Sequence, residues 1–162
     1  MSYATGEAAA LRLIQTLPDF DATNSVSLAN DNNNVGATLL SSGKSDCYVI
    51  LRPGPFESDY LDIAGSLTQY RWQTSIDLYV LKTGVDAPEY RLASLRQSIV
   101  DMLDTYFRLN ESVGYAKVIS GEAIATGATG GTNSAPNGTP YIRQEMILVW
   151  EEERSLTQND ND

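Results

Sequence analysis

Residues 69–83 read "QYRWQTSIDLYVLKT". Tyr70, Trp72, Thr74, Ile76, Leu78 and Val80 alternate with Arg71, Gln73, Ser75 and Asp77, the period-two pattern of a strand with one dry and one wet face. A strand over about 67–83 spans roughly 50 Å at about 3.3 Å per residue. A compact domain of this length is only roughly 40 Å across, so the strand must bend or project. A projecting strand exposes edge N–H and C=O groups. The reading expects the overhang to pair with a neighbouring copy, and head-to-tail contacts whose rotation closes make a ring.

The strongest helix signal follows. Asp86 is an N-cap candidate with Glu89 three residues on and Pro88 in the first turn. The predicted helix runs from about 87 to 109, with Leu92, Leu95, Ile99, Met102, Leu103, Tyr106 and Leu109 as its core stripe. A second stripe, Ala93, Val100 and Phe107, lies about 120° around the axis and is read as a subunit interface. An earlier helix covers about 5–17, with Leu11, Ile14 and Leu17 or Leu13 inward and Pro18 as its stop.

The polar stretch 19–46 reads as a long loop or as two short strands, "SVSLA" and "VGATLL". "CYVILRP" reads as a strand ended by Pro53-Gly54-Pro55, which open a loop 53–66. Strands 115–125 and 141–150 flank a Gly- and Pro-rich loop, 126–140. The predicted architecture is α+β: a mostly antiparallel sheet packed by the N-terminal helix and one long central helix. Residues 1–152 form a single domain, and 153–162 an acidic disordered tail.

Composition narrows the chemistry. The 162 residues include no histidine and one cysteine, Cys47, within the apolar run "CYVIL". A Ser-His-Asp triad, a Cys-His dyad and the usual zinc sites are therefore excluded, and Cys47 is read as a buried thiol. Eleven basic residues against 21 acidic give a net charge of −10, and the basic residues are scattered, which argues against direct nucleic-acid binding. No apolar run is long enough for a membrane span. The opening "MSYATGEAAALRLIQTL" has no basic flank or continuous apolar stretch, so a soluble protein made inside the cell is expected.

Weak motifs do not change this. "DNNNVG" at 31–36 lacks the oxygen ligand at its fifth position and the Glu at its twelfth that a calcium loop needs. "GATGG" has no Gly-Lys-Ser/Thr and leads into a strand. Asn110 and Asn137 head sequons without a secretory signal. Glu151, Glu152 and Glu153 read as a solvated strand end. Trp72 and Trp150 fall on dry faces, where core packing is expected; an exposed Trp would instead mark a subunit contact.

Taken together, "GEAAALRLIQTL", "RWQTSIDLYVLKTG", "LASLRQSIVDMLDTY" and "YIRQEMILVWEE" resemble, in order and pattern over about 5–152, the tail terminator or tail completion proteins of long-tailed bacteriophages and related gene transfer agents. The resemblance implies a homo-oligomeric ring, a hexamer, at the tail-neck junction of the virion. Its partners would be further copies of itself, the tail tube protein and a neck or connector protein. DNA would pass through the lumen without specific binding, and no cofactor, metal, catalysis or membrane is implied.

On that reading Arg71, Trp72 and Gln73, with the Ala93, Val100 and Phe107 stripe, are subunit-interface candidates. Loops 53–66 and 126–140 are tube or neck contacts, and Asp77 and Glu145 are acids of the lumen. Two alternatives remain: another neck adaptor on the portal side, or a small monomeric ligand-binding α+β module.

Overall fold

The computed structural model describes residues 3–20, 26–28, 47–61, 67–82, 86–109, 114–128 and 140–155. Two helices, α1 (Tyr3–Ile14) and α2 (Pro88–Thr105), accompany six strands: β1 (Val26–Leu28), β2 (Cys47–Tyr60), β3 (Leu67–Leu81), β4 (Tyr115–Gly121), β5 (Ala125–Ala128) and β6 (Pro140–Ser155). The sheet order is β1-β2-β3-β6-β4, with β5 also on β6. Among the described residues only the β1–β2 pairing is parallel. This is an α+β fold with a mostly antiparallel sheet.

The expected lone overhang does not exist. All of β3 pairs with β6, from Leu67 opposite Ser155 to Leu81 opposite Tyr141. On its other edge β2 pairs from Tyr60 opposite Thr68 to Cys47 opposite Val80. The long strand is central, and its backbone groups are satisfied within its own chain. It projects in company.

Two sequence signals had hidden that company. Pro53-Gly54-Pro55 does not end β2; the strand continues to Tyr60 through a one-residue irregularity between Pro53 and Phe56. Proline is tolerated there because β1 covers only Val49–Leu51, so no described partner needs the missing N–H groups. Gly54 eases the close approach of the two strands, since a Cβ there would lie 3.0 Å from the Gln73 carbonyl oxygen. Likewise β6 runs to Ser155, so Glu153–Ser155 belong to the sheet and not to a disordered tail. The strand expected over 115–125 is interrupted at 122–124 and resumes as β5 through Ala128. Residues 31–40, 62–66, 110–113, 129–139 and 156–162, with the readings that fall on them, lie outside the described residues.

The main core lies on the helix face of the sheet, and a smaller buried cluster of Tyr48, Ile50 and Tyr79 on the other. Ile76, Leu78 and Val80 of β3 join Val49, Leu51, Ile142, Met146, Leu148 and Trp150 in one buried cluster. Helix α2 adds Leu92, Leu95, Ile99, Met102 and Leu103, and α1 adds Ala9, Ala10, Leu13 and Ile14. Leu109, just past α2, is also buried, whereas Tyr106 of the predicted stripe is exposed. The helix stops earlier than expected because Tyr106 leaves helical geometry and Leu109 turns left-handed (φ 46°). Its start also differs: Ala87 occupies the N-cap position at φ 47°, without a side-chain cap, and Asp86 does not play that part. Helix α1 ends at Ile14, four residues before Pro18, where the Thr16 hydroxyl donates to the Leu13 carbonyl.

Gly6 of α1 sits against the fully buried Trp150 indole, which a Cβ would approach to 2.7 Å. Helix propensity favours alanine over glycine by about 1 kcal/mol, whereas overpacking a core contact costs about 1–3 kcal/mol. Gly6→Ala is therefore expected to destabilise the protein. A denaturation midpoint at or above wild type would show that the indole can give way.

Candidate functional site

The sheet continues past its core. Trp72 lies opposite Phe56 on one side and Trp150 on the other, and Ala116 opposite Trp150. Among the described residues, no side chain of the three long strands beyond this row belongs to the core cluster. The strands nevertheless run on through Arg71, Tyr70, Gln69, Thr68 and Leu67 of β3 and their partners. Five further rows at about 3.3 Å make a three-stranded arm about 16 Å long.

The arm has two dissimilar faces. On the helix side the Phe56 ring is tilted against Trp72 with centroids 4.9 Å apart, and Trp72 stacks on Tyr70 at 5.9 Å. The Arg154 guanidinium lies 4.8 Å from the Tyr70 ring centroid and donates a hydrogen bond to the Glu152 carboxylate. This side is tied down at its base but exposed toward β2, where Phe56 is 57% and Tyr60 68% accessible. The opposite face is charged. Arg71 donates to Glu151 at 2.7 Å and stands 4.0 Å from Glu57, while Gln69 donates to Glu151 at 3.1 Å. The hydrogen bond to Glu151 and the attraction of that carboxylate hold the Arg71 guanidinium above its ordinary pKa. Glu57, Arg71 and Glu151 also border a shallow groove of about 370 Å³ with Gln73, Tyr115, Lys117, Ile119 and Val149.

The residues nominated from sequence separate in space. Trp150 is a core residue; Trp72 is partly buried and packs on the core. Arg71 and Gln73 face the charged side, opposite to Trp72 in the pleat. Of the helical stripe, Val100 is half-buried and packs against the core, and Ala93 is half-buried. Phe107 lies beyond α2, 48% exposed, with its ring 6.4 Å from Tyr115. Residues 53–60 are strand, and 126–128 belong to β5, so both candidate loops are shorter than expected.

Asp77 is not an acid of a wet lumen: its side chain is fully buried. Ile50 and Glu145 stand directly opposite it, and Arg52 and Arg143 occupy the diagonal positions on the two flanking strands, within reach of long side chains. Arg52 Nε lies 3.0 Å from one carboxylate oxygen and Arg143 donates at 3.0 Å to the other. Arg143 also reaches Glu145 at 3.1 Å, and Arg52 donates to the Tyr79 hydroxyl. Glu145 is thus half of an ion pair rather than an isolated lumen charge.

Burial pushes the Asp77 pKa above the usual carboxylate value, against the opposing hydrogen bond from Arg143 and the attraction of both arginines. Burial also raises the Tyr79 phenol. For Arg143, burial pulls downward, but the hydrogen bond and charge of Asp77 win and leave it raised. The sequence did hold a warning of this burial. After Asp77 the supposed wet face carries Tyr79 and Leu81, so the alternation lapses into the continuous apolar run of a strand buried on both faces.

Cys47 is a buried thiol outside any disulfide, and its S–H donates to the Asp19 carbonyl oxygen at 3.5 Å. Among the described residues no His, Cys, Asp and Glu grouping could hold a metal, and no helix is long and apolar enough to cross a membrane. No family model matches the chain, and no curated protein matches it.

A native pKa raised above the unfolded value means that the folded state binds the Asp77 proton more tightly. Its contribution to stability is then lost as pH rises from about the unfolded value of 3.8 through the higher folded one. Asp77→Asn cannot titrate. The stability of wild type relative to Asp77→Asn, measured by denaturant unfolding across this window, is expected to fall with rising pH. A rise would mean that the two arginines outweigh desolvation.

Proposed function

We propose that this chain is a structural virion subunit. In this reading it forms a ring at the head-proximal end of a phage tail tube, ends tube polymerisation and joins the tail to the neck. The observation that carries the reading is the arm: a rigid extension beyond the core presenting Phe56 and Tyr60 to solvent. Aromatic side chains on an ordered platform are the usual anchors of protein contacts, and a self-contained domain has no folding need for five extra rows of sheet. The element order supports the same reading: a short helix, strands, a Trp-bearing long strand, a long helix and closing strands.

The mechanism is steric. One ring face matches the growing end of the tube and the other does not, so the next tube subunit finds no surface to join. Contacts between copies run through faces of the arm, because the β3 backbone is already paired. The net charge of −10 suits a passage for DNA, repelling phosphate within a Debye length of about 8 Å at physiological salt. Glu57, Asp59 and Glu153, all exposed on one face of the arm, replace Asp77 as the candidate acids.

Purified chain added to polymerising tube protein is expected to arrest growth and yield short tubes with a ring at one end, measured by electron microscopy. Tubes that lengthen unchanged while the chain binds portal protein would instead identify a portal-side adaptor. Phe56→Ser is expected to change stability by no more than about 1 kcal/mol, since the side chain is mostly solvated, yet to abolish arrest. Phe107→Asp is expected to fold, because its ring already meets water.

A further inference from the structure

Two opposite borders of the sheet carry complementary chemistry. On the β2 border of the arm, Phe56, Tyr60 and the adjoining Leu61 are exposed. Glu57 and Asp59, between them in sequence, are exposed as well, and the stretch from Phe56 to Leu61 holds no base. Arg71 stands 4.0 Å from Glu57, but its closer partner is Glu151 at 2.7 Å. This border is aromatic and acidic.

The other border begins where α2 ends and continues on β4. Tyr106 and Phe107, with Tyr115 and Ile119 of β4, are exposed, and so are Arg108 and Lys117. The Ala116 N–H donates to the Phe107 carbonyl, and the Phe107 ring stands 6.4 Å from Tyr115. The helix end and the strand thus make one patch. From Tyr106 to Ser120 the sequence holds those two bases and one acid, Glu111, a net charge of +1 in a chain of −10. This border is aromatic and basic.

Strands β3 and β6 lie between the two borders. Three strand spacings of about 4.8 Å hold β2 and β4 about 14 Å apart, so the two patches cannot meet within one chain. We infer that the β2 border of the arm on one copy docks on the α2–β4 patch of the next. The choice of a second copy rests on the ring reading above, and the opposite charges support it.

The faces agree as well. Phe56 and Tyr60 lie on the helix side of the arm, the side from which α2 arrives. Lys117 stands opposite Val149, and Val149 opposite Gln73, which puts it on the charged side with Glu57 and Asp59. Copies set side by side with their helix faces in common therefore bring ring to ring and acid to base. The contact joins two different patches, so it repeats head to tail and closes into a ring when the rotation allows. Aromatic anchors supply the affinity, and the charges fix orientation.

The test mixes two variants that each damage one border. Phe56→Ser removes an anchor from the acidic border, and Phe107→Asp puts an acid into the basic one. Lys117→Glu, at an exposed strand position, replaces Phe107→Asp should that protein not fold. Mass is measured on the full chain over a concentration series, by sedimentation and light scattering. Wild type is expected to associate, and each variant alone about tenfold or more weakly. The mixture keeps one undamaged pair of borders, so it is expected to give a dimer of one copy each and nothing larger. Tyr90→Asp, at an 82% exposed site on α2, adds the same charge as Phe107→Asp and should associate like wild type. Far-ultraviolet circular dichroism verifies the fold of each variant.

Variants that associate as wild type does, or a mixture no heavier than its components, overturn the inference. A monomeric wild type overturns it too; loss of tube-protein binding in both variants would then assign the patches to the tube. Tube arrest retained by Phe107→Asp would sink the docking and leave the ring reading standing. Mixed dimers beside a wild type that cannot arrest tubes would do the reverse.

Discussion

A strand inside a sheet needs both of its backbone edges filled, and β3 meets that demand over its whole length. Everything else in the molecule is arranged around the fact. Fifteen residues of central strand require about as many on each side, so β2 and β6 are long in turn. The two helices cover only the part of one face that the core cluster occupies, and of the remaining rows Phe56, Tyr60, Glu57 and Asp59 stand exposed while Thr68 and Glu152 stay buried. Length beyond the core is thus carried by three strands together, which makes the extension stiff where a single overhanging strand would be frayed.

The second constraint is the charge buried in that central strand. Asp77 has hydrophobic neighbours along the chain, and both arginines that meet it come from flanking strands. The cluster therefore forms only when β2, β3 and β6 are in register, since a slip of one residue would carry the carboxylate to the helix side. A buried ion pair is weak evidence for stability but a plausible device for fixing alignment, and the longest ladder in this sheet is where misalignment is easiest. Deleting the carboxylate would relieve its desolvation and at the same time loosen that register.

Much of the fold was legible from periodicity alone. The α2 stripe from Leu92 to Leu103 and the dry face of β3 follow from spacing, because each signal is local. What was missed depends on pairing between distant segments. Pro53-Gly54-Pro55 ends a strand in most settings, and only the bare outer edge of β2 lets it continue. Glu151 to Ser155 looks like a solvated tail until β3 is seen to need a partner there. Asp77 reads as wet by alternation, and the arginines that accompany it lie 25 and 66 positions away. The arm faces were half visible: Arg71, Trp72 and Gln73 were singled out, but not that the pleat sends them to opposite sides.

The irregularity at Pro53-Gly54-Pro55 has an effect out of proportion to its size. Up to Pro53 the odd-numbered residues of β2 point toward the helices; from Phe56 onward the even-numbered ones do. The extra residue shifts the phase of everything downstream by one, which sends Phe56, Ser58 and Tyr60 to the side of Trp72 and leaves Glu57 and Asp59 among the acids of the other. Had the strand run straight, the aromatic and acidic sides of the extension would have been mixed. One surplus peptide unit at the shoulder of the sheet sorts the surface chemistry at its far end.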